Sequence, residues 1–457
     1  MIVQLQRRNK LTNLASRTVR IGDPLQHSIW YKTAPAAPET GSLNSAVSAD
    51  VCIIGAGFTG LSAGIHLAER GRRVVVVEAE EAGFGASGRN SGHCTPTFHS
   101  FELEQFRRMI GEPFGSRMVR AQCDSTNFLF ELIRKYGIEC DAIQSGYVEA
   151  AHSRAAFQAQ QKKVADYNAL GKQTRLLTAH QVEELTGSPR YFGGWFHPEG
   201  GNINPLAYCR GLARTLIELG GDIYTATPAL KIAPAGSAWR VDTPNGQIVA
   251  DKVIYAGGAY LAPSCWQGME KTYALLPIIG LASQPLPIEV QNQILPRRNT
   301  VLETRHDPAS YRLDRDGRLI TSIMLEGRRG GDEDYTKELL TTRFRWLLPQ
   351  LLELRWENYW HGRLDMQPRL FPRLFGLAPG VAAMNGYSGR GVATGTVVGK
   401  VLADWATGTP PEALTLPLES RGNAPQLMKA AMRIMLPYLR FADQRAARRD
   451  GLRPPPY

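Results

Sequence analysis

Three features are scarce in this sequence, and each absence narrows the classes of protein to which the chain can belong. No charge-free apolar stretch reaches the roughly 18 residues of a membrane-spanning helix, so such a helix is excluded. No apolar signal-peptide segment follows Arg7 and Arg8, and we therefore expect a cytoplasmic protein. Cysteine occurs only six times in 457 residues and never as a CxxC pair, so we predict no metal site and no dithiol redox centre.

Acidic residues are scarce at the two ends of the chain, and these ends carry nearly all of the net charge of +11. Residues 1–20 contain five basic and no acidic residues, and residues 419–457 contain eight basic against three acidic residues. The 398 residues between these ends have a net charge of only +1. Because the body of the chain is not basic, we predict no nucleic-acid partner.

The overall composition is that of an ordinary globular protein, with 43% hydrophobic and 21% charged residues. Residues 1–49 are polar and rich in proline, alanine, glycine and serine towards their end, which predicts an N-terminal arm. Trp30 and Tyr31 are the residues that we expect to hold this arm against the body.

The C-terminal tail, residues 419–457, contains an amphipathic segment at 424–441. Lys429, Arg433 and Arg440 fall on one side of a helical wheel, and apolar residues occupy much of the remainder. Proline at position 437 predicts a kink. Such a helix packs on the body, contacts another subunit, or lies at a membrane surface as a peripheral anchor, here at the inner face of the membrane.

Ordered structure is predicted to begin at Asp50, with the elements of a dinucleotide site. Residues 51–54 and 74–77 are short apolar runs typical of buried parallel strands. Between them a Gly-x-Gly-x-x-Gly turn at 55–60 opens a helical segment, which would place a pyrophosphate at the helix N-terminus. Glu78 follows the second strand, where a carboxylate can accept hydrogen bonds from ribose hydroxyls. This unit predicts a dinucleotide but does not distinguish NAD from FAD.

The next segment, residues 85–92, reads Gly-Ala-Ser-Gly-Arg-Asn-Ser-Gly. It contains too many glycines for a helix interior and is too short to be a linker. A backbone that must lie close to a flat or anionic ligand is the natural use of such a run. We therefore interpret it as a second part of the dinucleotide site.

These two segments resemble the family of FAD-dependent amine and D-amino-acid oxidases, in particular its γ-glutamylputrescine and L-pipecolate oxidase-like branch. Three more segments are similar to family motifs in the same order: residues 200–206, residues 253–260 and the Gly-Tyr-Ser-Gly-Arg-Gly-Val run at 386–392. Two positions depart from the motifs. Arg390 stands in the place of a histidine, and two glycines at 257–258 stand in the place of Thr-Asn.

The resemblance implies FAD as the cofactor, bound without a covalent link. Its pyrophosphate would lie on residues 55–60, its ribose on Glu78, and the pyrimidine end of its flavin ring against 389–392. Arg390 and the helix N-terminus after Gly391 would stabilise negative charge there. The implied cofactor-binding residues are Gly55, Ala56, Gly57, Phe58, Thr59, Gly60, Glu78, Ala79, Ala86, Ser87, Arg89, Asn90, Ser91, Gly92, Ala256, Gly257, Gly389, Arg390, Gly391 and Val392.

The catalytic residues are less well defined by the sequence. Loss of hydride from a carbon next to nitrogen needs a neutral amine, and a base helps if the amine arrives protonated. His93 is our candidate because it adjoins the flavin segment and histidine titrates near neutral pH. With Arg390 it forms the predicted catalytic set. Tyr260, Arg328 and Arg363 are the residues that we expect to bind a substrate carboxylate.

The predicted fold class is α/β together with α+β. A Rossmann-type FAD-binding domain of the glutathione-reductase type would combine residues 50–100, 196–260 and 376–418, and a substrate domain with an antiparallel sheet would combine residues 101–195 and 261–375.

The function implied by the resemblance is oxidation of the C–N bond of a small amine or amino acid, with reoxidation by oxygen to give hydrogen peroxide. One alternative is a dehydrogenase that passes electrons to a quinone or a carrier protein, for which the tail at 424–441 provides a membrane contact. A second alternative is a flavin-bearing partner subunit without turnover of its own.

Overall fold

The structure is a computed structural model that describes residues 24–98, 102–324, 331–420 and 428–456. Arg328, one of the predicted substrate ligands, therefore lies outside the described residues. The strands in chain order are β1 (Ala46–Ile54), β2 (Val74–Val77), β3 (His93–Cys94), β4 (Tyr147–Ala151), β5 (Arg175–Thr178), β6 (Gly193–His197), β7 (Gly201–Asn202), β8 (Asp222–Tyr224), β9 (Lys231–Ala235), β10 (Ala238–Asp242), β11 (Gln247–Tyr255), β12 (Ala274–Pro285), β13 (Thr300–Glu303), β14 (Ser310–Leu313), β15 (Arg318–Ile323), β16 (Trp356–Met366), β17 (Arg373–Ala378), β18 (Val381–Asn385) and β19 (Leu418–Glu419).

The α-helices lie between these strands and at both ends of the described chain. In chain order they are α1 (Ile29–Thr33), α2 (Phe58–Ala68), α3 (Leu103–Ile110), α4 (Phe114–Cys123), α5 (Ser125–Lys135), α6 (Arg154–Asn168), α7 (Ala179–Thr186), α8 (Pro205–Glu218), α9 (Ile288–Gln293), α10 (Glu333–Leu347), α11 (Gly391–Ala406) and α12 (Met428–Arg449).

The first sheet is built around the predicted unit of β1, α2 and β2. Its strand order is β19-β17-β18-β11-β1-β2-β8, with β9 and β10 attached to β11 as an antiparallel branch. The strands from β18 to β8 are parallel, and β2 consists of four buried valines. A parallel sheet needs cover on both faces, and α2, α8 and α11 pack over one of them. This arrangement confirms the Rossmann-type fold.

The second sheet has the order β16-β12-β15-β14-β13-β4-β6-β5 and is antiparallel except for the pair β13 and β4. Side chains along β12 alternate between its two faces. Ile279 and Leu281 pack in one core with Phe344 of α10, whereas Ile278 and Gly280 line a cavity. The second sheet therefore has one face covered by a helix and one face turned towards the site.

The two sheets divide the chain at slightly different positions from the domain boundaries predicted from the sequence. The boundary predicted at residue 196 falls within β6, which pairs with β4 and β5 in the second sheet. Similarly, β17 begins three residues before position 376 and belongs to the first sheet. Residues 101–195 also contain the four-residue strand β5, which is too short to show a clear alternation in the sequence.

The N-terminal arm is held by Trp30, which is 1% exposed. Its indole packs edge-on against Trp360, and its Nε1 donates to the Asn90 carbonyl at 2.8 Å. Tyr31 is 37% exposed and contacts the guanidinium of Arg210. Trp30 is therefore the main anchor of the arm, and Tyr31 covers it from outside.

The tail forms helix α12, which extends past the predicted end at 441 and keeps Pro437 inside it. Arg440 donates to Asp307, and Asp443 accepts a hydrogen bond from the backbone of His306, so α12 packs on the second sheet and its loops. The side chains of Lys429 and Arg433 lie outside the described part of the structure. Among the described residues, we find no helix with the length and apolar character that crossing a membrane requires.

Candidate functional site

The glycine turn that joins β1 to α2 forms one wall of a groove along the first sheet. Gly55 adopts a positive φ of 108°, and a Cβ on Gly60 would lie 2.0 Å from the Gly55 carbonyl oxygen. A side chain at either position would force α2 away from the sheet. Gly57 precedes α2 without a side-chain cap, so the positive end of α2 is open to an anionic group. Phe58 and Thr59 line the groove beside it.

Glu78 lies at the end of β2 and lines the same groove together with Ala79. Its carboxylate accepts hydrogen bonds from the backbone N–H of Ala56 at 2.9 Å and of Glu80 at 3.1 Å. Burial raises the pKa of Glu78, while the Ala56 N–H opposes this rise. The geometry places an acceptor group next to the glycine turn, as the sequence predicts for ribose recognition.

The residues of segment 85–92 have different roles, since some line the groove and others make internal contacts. Ala86, Ser87 and Asn90 line the groove, and the Ser87 hydroxyl accepts the N–H of Phe58 at 3.0 Å. The guanidinium of Arg89 does not point into the groove. It donates to the carbonyls of Phe84 at 2.7 Å and of His361 at 3.2 Å, so it links the segment to the second sheet.

Gly92 occupies a similarly internal position. A Cβ on this residue would lie 2.1 Å from the Ile203 carbonyl oxygen. Its positive φ and this close approach explain the glycine without a direct cofactor contact.

Three buried side chains fix the carbonyl groups of this segment. Trp30 binds the Asn90 carbonyl, Trp360 donates to the Arg89 carbonyl at 2.8 Å, and Arg312 donates to the Ser91 carbonyl at 2.6 Å. The sequence did not single out Trp360 or Arg312. No local pattern marks them, because they reach the segment from strands more than 200 positions away.

The turn at 386–392 closes the other side of the groove, facing Ala256 and Gly257. Asp365 holds this turn by accepting the N–H groups of Gly386 at 2.6 Å and Tyr387 at 3.2 Å. Burial raises the pKa of Asp365 to about 6. Asp365 lines the groove and is another residue that the sequence did not single out.

Helix α11 begins at Gly391, so its N-terminus points towards the site. Gly389, Gly391 and Val392 line the groove, and Arg390 precedes the helix. The guanidinium of Arg390 donates to the hydroxyls of Thr97 at 2.5 Å and Thr95 at 3.2 Å. Arg390 is not among the described residues that line the groove, but its fixed cation lies directly beside the helix N-terminus that does.

A cavity of about 760 Å³ adjoins this end of the groove. The residues that line both spaces are Ala86, Asn90, Arg363, Leu364, Gly389 and Val392. Because groove and cavity share these walls, a ligand in the cavity would meet the end of a ligand in the groove. The cavity volume is within the usual range for small-molecule sites.

His93 lines the cavity from β3. Burial and the neighbouring Arg312 lower the pKa of His93 to about 3, and its Nε2 has no hydrogen-bond partner among the described residues. The imidazole is therefore neutral at pH 7 and a weaker base than the sequence argument assumed. Of the predicted substrate residues, Arg363 lines both cavity and groove, whereas Tyr260 lines only the groove.

An ion pair in the cavity wall is a further feature that the sequence missed. Lys163 of α6 donates to both carboxylate oxygens of Glu149 at 2.8 and 2.9 Å. The two residues come from a helix and a strand, so no spacing rule connects them. Across the described ranges, His, Cys, Asp and Glu form no group of three or more that could hold a metal ion.

The comparisons with known proteins agree with this geometry. A family model described as FAD dependent oxidoreductase (DAO) matches residues 50–405. The chain is 28% identical over 409 residues to a probable oxidoreductase OrdL of Haemophilus influenzae, covering 87% of this chain and 92% of the relative. It is 29% identical to gamma-glutamylputrescine oxidoreductase of Escherichia coli, covering 84% and 90% of the two chains.

Solved structures show the same fold at low sequence identity. Glycine oxidase from Geobacillus kaustophilus superposes with a TM-score of 0.64 at 20% identity, covering 80% of this chain and 96% of that one. L-amino acid deaminase from Proteus vulgaris gives a TM-score of 0.66 at 20% identity, covering 84% and 95%.

The chain belongs to the DAO family of FAD-dependent oxidoreductases. It is thus an enzyme with FAD as its cofactor, and the groove fits this group. The glycine turn leaves space where a Cβ would project, Glu78 offers an acceptor for ribose, and the N-termini of α2 and α11 favour anionic groups.

Proposed function

We propose that this enzyme oxidises the C–N bond of an amine or amino acid that binds in the 760 Å³ cavity. The observation that carries the proposal is the shared wall, since Gly389, Val392 and Ala86 line both the cofactor groove and the cavity. When bound, FAD accepts a hydride from the carbon next to nitrogen. The E. coli relative is named for γ-glutamylputrescine and other relatives for glycine, which supports an amine as the substrate class.

The residues around this junction have separate proposed roles. Arg390 and the N-terminus of α11 stabilise negative charge at the end of the groove. Arg363 binds a substrate carboxylate where one is present, and Tyr260 supports it, since the Arg363 guanidinium lies 5.3 Å from the tyrosine ring centre.

His93 is proposed to orient the substrate rather than to take up its proton. With a pKa of about 3, it accepts a hydrogen bond from an amine N–H and remains neutral. An amine substrate would then lose its extra proton to solvent before or during entry.

The experiment that tests the proposal is anaerobic mixing of the FAD-loaded protein with a panel of substrates. The panel contains γ-glutamylputrescine, glycine, N-methylglycine, pipecolate, putrescine and unbranched amino acids of both hands. Bleaching of the visible flavin band by one class supports the proposal. If no compound in any class bleaches the flavin, the non-catalytic partner-subunit hypothesis gains support, and a stable heteromer on native purification would strengthen it.

Oxygen is the proposed electron acceptor, with hydrogen peroxide as product. The alternative, a membrane quinone or a carrier protein, is favoured by one specific observation. Met435, Tyr438 and Phe441 are 46%, 69% and 52% exposed along one side of α12. Large apolar side chains in a row on a helix with basic residues suit a membrane surface.

The rate at which the reduced flavin is reoxidised in air distinguishes between the two proposed acceptors. Rapid return of the flavin colour together with stoichiometric peroxide supports an oxidase. Slow return in air that a water-soluble quinone accelerates supports the dehydrogenase. In the second case the full chain should also sediment with anionic vesicles, and the variant Y438S/F441S should not.

A further inference from the structure

Helix α12 contributes directly to the cavity next to the flavin site. Leu436, which is 7% exposed, and the half-buried Leu439 line the same cavity as His93 and Gly389. The match to the family model ends at residue 405, so α12 lies outside the shared part of the chain. The cavity wall therefore includes residues that lie beyond the range matched by the family model.

The helix is held against the body by charged contacts on the same face as the two leucines. Arg440 contacts the carboxylate of Asp307 through Nε at 3.0 Å and Nη2 at 2.9 Å. Asp443 accepts the His306 N–H at 2.9 Å and contacts its Nδ1 at 2.8 Å. These contacts fix the position of the leucines, so they form a stationary wall.

The charged groups near this wall are already engaged with one another. Glu149 is paired with Lys163, and Glu303 binds Arg305 and Arg343 in the interior. A charged substrate group here would lose its hydration without gaining a matched partner. The cavity lining also includes a set of apolar residues, namely Ala156, Ala159, Leu302, Pro308, Leu436 and Leu439, with Thr304 and His306 as polar neighbours.

We propose that Leu436 and Leu439 determine substrate specificity by packing against an extended, uncharged apolar chain of the amine. The inference rests on the proposed function, because it assumes that the amine group lies at the flavin end of the cavity. It narrows the substrate class to amines or amino acids with a hydrocarbon chain that reaches α12. Short substrates such as glycine would leave this wall without contact.

The experiment titrates unbranched primary alkylamines, from propylamine to octylamine, into the FAD-loaded full-length protein without oxygen. Perturbation of the flavin absorption band gives the dissociation constant, and bleaching gives the rate. For chains that reach the wall, the dissociation constant of the wild type should fall about fourfold for each added methylene. In L439A this gain should disappear for the longest members, so octylamine binds about tenfold more weakly and propylamine binds unchanged.

A second variant acts in the opposite direction. L439F fills the space and should reject octylamine while still binding propylamine. The matched control is L352A, because Leu352 is 78% exposed and its loss should leave the whole series unchanged. L436A provides a further test, but Leu436 is more deeply buried and its replacement is more disruptive. If L436A does not fold, the Leu439 variants alone carry the test.

The outcomes distinguish this inference from the proposed function. Identical chain-length profiles for the wild type, L439A and L439F would overturn the inference, as would a flat profile in the wild type. Binding that depends on chain length and on Leu439, without bleaching of the flavin, would overturn the proposed oxidation of alkylamines while supporting the role of the α12 wall.

Discussion

At the scale of single residues, the cofactor groove depends on glycines, because the absence of a side chain lets backbone segments approach closely. Gly60 faces the carbonyl of Gly55 and the side chain of Ile53, and this contact fixes the distance between α2 and the sheet. The same close approach places the N-terminus of α2 at the groove. Stability and cofactor binding are thus coupled at one position.

Replacing Gly60 with alanine should lower both the stability of the fold and the affinity for FAD. The new Cβ would lie 2.0 Å from the Gly55 oxygen, and overpacking of this kind costs about 1–3 kcal/mol. We expect G60A to retain little FAD on purification, measured as the ratio of flavin to protein absorbance, and to unfold at lower temperature. G41A is the control, since a Cβ on Gly41 meets no atom within 4 Å. Full flavin content in G60A would contradict the assignment.

Arg390 provides a second prediction at this scale. Removing its charge in R390M should slow bleaching of the flavin by about tenfold to a hundredfold, because a hydrogen bond to a charged group contributes about 1.5–3 kcal/mol. R390K keeps the positive charge and should recover part of the rate. Stopped-flow measurement with the best substrate checks this, and an unchanged rate in R390M would remove Arg390 from the catalytic set.

His197 makes the stability of the protein depend on pH. Burial lowers the pKa of its imidazole to about 3, while in the unfolded chain it returns to its ordinary value of 6.5. Its contribution to stability is therefore complete above pH 6.5 and is lost as the pH falls towards 3. The unfolding equilibrium constant should rise by up to about tenfold per pH unit in this window.

The measurement is urea unfolding at several values between about pH 7 and pH 5. H197Q should show a smaller pH dependence than the wild type. H180Q should keep the wild-type dependence, because the side chain of His180 is 79% exposed. Equal slopes in the wild type and H197Q would show that His197 is not the group responsible.

At the scale of elements, the short helix α1 acts on the site from outside both sheets. Trp30 holds the Asn90 carbonyl, packs against Trp360, and lies 5.0 Å from the guanidinium of Arg312. These are the same side chains that fix segment 85–92. The arm is therefore part of the support of the flavin site.

A change at Trp30 should therefore weaken FAD binding, even though Trp30 lies well before segment 85–92 in the sequence. W30F loses the indole hydrogen bond, worth about 1 kcal/mol, and should raise the dissociation constant of FAD about fivefold. W30A should lose about 3–5 kcal/mol of stability as well. Y31F serves as the control because Tyr31 is 37% exposed, against 1% for Trp30, and the change keeps its ring. Equal FAD affinity in W30F and the wild type, measured by fluorescence titration, would contradict this role.

At the scale of the whole molecule, the mode of flavin attachment is a testable property. Cys94 next to the flavin segment is fully buried, and burial raises the pKa of its thiol to about 12, so it is a poor nucleophile. This supports the prediction that FAD is bound without a covalent link.

Acid precipitation should therefore release all yellow colour into the supernatant. The stripped protein should bind added FAD again, and FAD at about a hundred times its dissociation constant should stabilise the fold by about 3 kcal/mol. Thermal unfolding at increasing FAD concentration measures this. Colour that stays in the precipitated protein would indicate a covalent bond, with His93 as the residue to examine first.

The sequence by itself determined the Rossmann unit, its glycine turn, Glu78 and the order of the family motifs. These features depend on steric rules that act within a few residues: a turn needs glycine at Gly55, and a buried strand needs an apolar run such as Val74–Val77. Such rules leave a visible local pattern. They are the reason that the fold class was predictable.

Only the tertiary structure decided which side chains face one another across the groove and the cavity. Arg89 carries the charge expected of a ligand contact, yet it binds the carbonyl of His361, which lies 272 positions away. Asp365, the Lys163–Glu149 pair and the leucines of α12 likewise enter the site from distant segments. Their positions follow from the packing of two sheets and a tail helix, and no spacing along the chain encodes that packing.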